Sequence, residues 1–72
     1  MLYSIFAVRT TRVFAQKLGE IADKRKELGY TRKDMAVEKC LIDEAEDILD
    51  MAHELLGEDT ALMLARHYRE VM

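Results

Sequence analysis

Residues 2–13, LYSIFAVRTTRV, decide the fold because they admit two readings. Leu2, Tyr3, Ile5, Phe6 and Val8 put apolar groups on every side of a helix, while Thr10, Thr11 and Val13 continue a β-branched run that a short strand would share. The residues that follow favour helix. Phe14, Leu18, Ile21 and Leu28 return to one side at about 100° per residue, and Tyr3, Ala7 and Thr10 extend that stripe backwards. A helix over 2–28 is therefore expected.

Further along, Val37, Leu41, Ala45, Ile48, Ala52 and Leu55 form a seam of alternating three- and four-residue steps, flanked by Cys40, Leu49, Met51 and Leu56. This predicts a second helix over 32–56. At 1.5 Å per residue both arms would span roughly 36–40 Å, and equal arms joined by a tight turn make an antiparallel hairpin. Ala61, Leu64, Tyr68 and Val71 share a third stripe, predicting a short amphipathic cap over 60–71.

With no Pro in the chain, glycine is the punctuation. Gly29 follows the cationic run Lys24-Arg25-Lys26, which complements a helix C-terminus, and precedes Thr31, a candidate N-cap. Gly57 precedes Glu58, Asp59 and Thr60, acids and a capping hydroxyl ahead of the third helix. Gly19 has no turn residues beside it, so it is either a plain helical glycine or a site of close packing.

Seventy-two residues, half of them hydrophobic and with a net charge of −3, make one folded domain covering 1–72. A core of this size rarely supplies more than about 3–5 kcal/mol, and the usual supplements are disulfides or association. The single Cys40 excludes an internal disulfide and points to a reducing cytoplasm. Met1 to Val8 lacks the basic start and cleavage site of a signal peptide and is far short of a bilayer span. The expected fold class is thus all-α: a helical hairpin plus a short third helix, completed into a bundle by a homodimer or higher oligomer.

Charge is unevenly placed. Residues 1–39 carry nine basic and five acidic groups, a balance of +4, and residues 40–72 carry two and nine, a balance of −7. Asp43, Asp47, Asp50 and Glu54 step along the back of the second helix as an acidic stripe. Such a stripe keeps an amphipathic helix wet, and it also suits docking of a basic protein partner or mimicry of nucleic-acid charge. Leu62 and Met63 flank the third stripe, more apolar surface than one hairpin can cover, and are the expected contact pair. Five methionines, Met1, Met35, Met51, Met63 and Met72, serve as gap fillers or as adaptable contact surface.

The chemistry of an enzyme is missing. There is no Gly-rich phosphate loop, nucleophile elbow or Cys/His zinc spacing. Asp50 and His53 have the three-residue spacing of helical di-metal sites, with Asp47 and Glu54 nearby. Such ligands must project into a bundle, whereas Asp47 and Asp50 point away from the seam, and helix one offers only Glu20, Asp23 and Glu27 on its far side. No catalytic residue, metal or other cofactor is expected.

Arg9 to Leu41 resembles a ribbon-helix-helix DNA-binding protein. Val8-Arg9-Thr10-Thr11 would end the strand and cap the helix, Phe14, Leu18, Ile21 and Ala22 would form the first-helix core, and Leu28 to Met35 would be the interhelix turn. The resemblance covers about half the chain and implies a dimer paired through N-terminal strands. Its groove-reading positions would be Ile5, Ala7 and Arg9, and Arg9, Arg12, Arg32 and Lys33 would contact phosphates. Two apolar groups cannot hydrogen-bond to base edges, and the acidic second half opposes phosphate. The alternative is accordingly a dimeric DNA-binding transcriptional regulator. The leading expectation is a cytoplasmic helical module that binds another protein, as a regulator, adaptor or inhibitor would.

Overall fold

The computed structural model describes the backbone of residues 2–30 and 35–72 and the side chains of residues 5–28 and 35–72. It contains three helices, α1 (Leu2–Tyr30), α2 (Met35–Leu56) and α3 (Glu58–Val71), and no strand among the described residues. The fold is all-α. The strand of the ribbon alternative does not form, because residues 2–9 are the first turns of α1. The β-branched run is accommodated inside the helix, where the Thr11 hydroxyl donates to the Ala7 carbonyl at 2.6 Å.

Both expected stripes find each other. Phe14, Leu18, Ile21 and Ala22 of α1 are buried, as are Leu41, Ala45, Ile48 and Ala52 of α2, and Leu64 of α3 lies in the same cluster. The alanines let the helix axes approach, and Leu18 and Leu64 fill the space between them. The predicted seam frays at its ends, where Val37 and Leu55 remain exposed and Leu28 is half-buried.

Over the described residues α1 runs for 29 residues and α2 for 22, and residues 31–34, where the second helix is expected to begin, lie outside them. An Arg25–Glu38 ion pair sets the register between them. Counting back from it puts Leu56 level with Ala7, so residues 2–6 project beyond α2. The third helix begins at Glu58 rather than 60 and lies along both arms, giving a rod of 47 × 16 × 16 Å. It therefore covers one side of the hairpin, the role assigned from the sequence to a second copy. Finally, α1 continues to Tyr30, so Lys24 to Lys26 lie more than a turn before its end, too far for a full interaction with the helix dipole. The predicted Thr31 cap falls outside the described residues.

Gly57 alone joins α2 to α3. Its N–H donates to the His53 carbonyl, closing α2, and its own carbonyl accepts from Ala61, opening α3. At φ 95° and ψ 170° it occupies a region essentially reserved for glycine. Glu58 and Asp59 then occupy the first turn of α3, where the helix dipole favours acids. Among the described residues no helix is long and apolar enough to cross a membrane.

Candidate functional site

Three packed helices leave three grooves, and the predicted contact residues divide among them. Between α2 and α3, Leu49, Asp50 and His53 face Glu58, Ala61 and Leu62 across a shallow hollow. Asp43, Asp47, Asp50 and Glu54 are all exposed on α2. Asp50 sits where the acidic stripe meets the hollow, next to Leu62, which is 60% exposed. Acid and apolar anchor are thus brought together at one rim.

Met63 is not. It points about 100° away from Leu62 and lines the α1/α3 groove with Ala7, Val8, Thr11 and Arg12. The expected Leu62–Met63 pair is therefore split between two surfaces. Arg9 and Arg12 are exposed on α1 and share a hollow with Ile5 and Val8, while Arg32 and Lys33 lie outside the described residues.

The third groove, between α1 and α2 on the side away from α3, holds a hollow lined by Lys24, Glu27, Leu28, Val37 and Leu41. Along this side Phe6, Val13, Met51 and Leu55 remain 45–51% exposed. Leu55 was legible as part of the seam. Leu28, Val37, Leu41 and Met51 were likewise legible in or beside their stripes, but the joint surface was not, because it arises only when two helices stand side by side.

Sequence spacing also gave no sign of the polar link among all three helices. Arg25 of α1 donates through Nη1 to the Tyr68 hydroxyl of α3 at 2.8 Å, and its Nη2 lies 3.5 Å from Glu38 Oε1 of α2. Arg25 is read from the sequence as one of a cationic run, and Tyr68 stands 43 residues away. The Tyr68 hydroxyl, and secondarily Glu38, hold the Arg25 guanidinium above its ordinary value against an opposing desolvation. Its Nε is buried with no acceptor among the described residues.

For chemistry, Asp50, His53 and Glu58 share a hollow, yet no group of three metal-ligating side chains converges among the described residues. Cys40, a flank of the expected seam, is exposed. The arrangement offers apolar anchors bordered by charge, which is the chemistry of recognition. No protein-family model, curated protein or solved structure matches this chain.

Proposed function

We propose that this chain is a small protein-interaction module, acting as a regulator, adaptor or inhibitor, that captures a basic amphipathic helix in the α2/α3 groove and also associates with itself. The observation that carries the reading is the rim where exposed Leu62 stands beside Asp50 and Glu58, continuous with the acids of α2. A partner helix would lay apolar residues over Leu62 and Leu49, while its cations meet Asp47, Asp50 and Glu58. A reducing cytoplasm suits the exposed Cys40 thiol.

A fluorescent Leu/Lys amphipathic helical peptide tests this by anisotropy titration. Binding should weaken at least about tenfold in the Asp47→Lys, Asp50→Lys variant, with helicity by circular dichroism unchanged. Unchanged binding would overturn the steering role of the acids. Labelled duplex DNA is the control: tight binding that falls steeply with salt and is lost on Arg9→Ala, Arg12→Ala would favour the nucleic-acid reading instead.

A further inference from the structure

The α1/α2 face away from α3 carries apolar and charged residues in a particular order. At about 100° per residue, Phe6, Val13, Lys17 and Lys24 stack on one line of α1, and Glu44, Met51 and Leu55 on one line of α2. Both lines are turned away from the residues that meet α3, which are Val8 and Arg12 on α1 and Leu49 and His53 on α2. They meet at the hollow lined by Lys24, Leu28, Val37 and Leu41.

The Arg25–Glu38 register sets heights along the rod. Phe6 lies within about a turn of the height of Leu55, Val13 near Met51, and Lys17 near Glu44. The face therefore begins apolar at the free end of α1, passes through Lys17 and Glu44 at mid-height, and ends near the turn in a hollow where Leu28, Val37 and Leu41 are bordered by Lys24 and Glu27. No ion pair among the described residues involves Lys17 or Glu44.

We propose that a second copy of this chain covers this face, related by a twofold axis parallel to the helices. That operation sets α1 of each copy against α2 of the other at unchanged height. Phe6 then meets Leu55 of the other copy, Val13 meets Met51, and Lys17 faces Glu44, each contact occurring twice. A twofold axis across the helices would set α1 on α1 and α2 on α2, basic line on basic and acidic on acidic, which like-charge repulsion disfavours. The result is a central four-helix bundle with an α3 on each outer side. The inference rests on reading the chain as an interaction module but uses a face separate from the α2/α3 groove.

Sedimentation equilibrium of the full chain tests it. The wild type should be dimeric at micromolar concentration. Lys17→Glu and Glu44→Lys should each weaken the dimer about tenfold or more, and the double exchange should restore it to within about threefold. Leu55→Glu changes an exposed helical position, so it should yield a monomer of unchanged helicity. A monomeric wild type, or a dimer indifferent to all four variants, overturns the proposal. Peptide capture by the α2/α3 groove is read independently, so the failure of one leaves the other standing.

Discussion

At the residue scale, the two glycines whose surroundings are described should respond to alanine in opposite directions. A Cβ at Gly19 meets nothing within 4 Å, so Gly19→Ala should raise stability by about 0.5–1 kcal/mol, the helical penalty of glycine. The close-packing reading of Gly19 is thereby set aside. A Cβ at Gly57 also meets nothing, but φ 95° with ψ 170° is strained for any other residue, so Gly57→Ala should cost about 1–3 kcal/mol. Urea denaturation of the two variants checks both signs. Gly57 is legible in the sequence as a boundary. The absence of a separate cap is not, because a glycine in this conformation ends one helix and starts the next, leaving Thr60 inside α3. Tyr68→Phe removes the acceptor for Arg25 and should destabilise by about 0.5–1.5 kcal/mol. The Arg25 value is raised, so this contribution is present at every pH below the ordinary guanidinium range and is lost only as pH rises through the still higher folded value. The difference between wild type and Tyr68→Phe should therefore stay constant between about pH 6 and pH 9. A difference that vanished within that range would assign the link to another group.

At the scale of elements, α3 separates two accounts of the molecule. A cap on the end of a hairpin could lose a leucine cheaply, whereas a helix lying along both arms could not. Leu64 is 2% exposed and belongs to the common core, so Leu64→Ala should cost about 2–5 kcal/mol. Leu62→Ala, whose side chain points about 200° round α3 from Leu64, should change stability by less than about 0.5 kcal/mol while weakening peptide capture. Thermal melts and anisotropy titrations read the two effects apart. The stripes that made these helices were legible because three- and four-residue steps survive any change of neighbour: Phe14, Leu18 and Ile21 are buried as the spacing predicts, and so are Leu41, Ala45, Ile48 and Ala52. Where α3 lies was not legible, since Ala61, Leu64 and Tyr68 fix which face is apolar but not which helices receive it. The early strand-or-helix ambiguity has a similar cause. Ile5, Phe6 and Val8 are apolar on all sides, and periodicity carries no signal where every side is alike.

At the scale of the whole molecule, the sequence argument for association rested on a hairpin too apolar to stand alone. The third helix changes that argument without removing it, because it relieves only one side. Phe6, Val13, Met51 and Leu55 remain about half exposed on the other, spaced at heights that match across a twofold axis. Two faces of one small rod would thus serve two partners, a second copy between α1 and α2 and a basic helix between α2 and α3. In the proposed dimer Lys17 of one copy would face Glu44 of the other, while Asp43, Asp47, Asp50 and Glu54 stay exposed on α2. The most direct test is the distance between spin labels placed at Met35→Cys, near the turn, in a Cys40→Ser background. Parallel copies bring the two turn ends together, so the account predicts a separation within two helix diameters, roughly 20 Å. Antiparallel copies would hold the labels at least the length of α2 apart, roughly 33 Å, and that distance, or no measurable coupling at all, would contradict it.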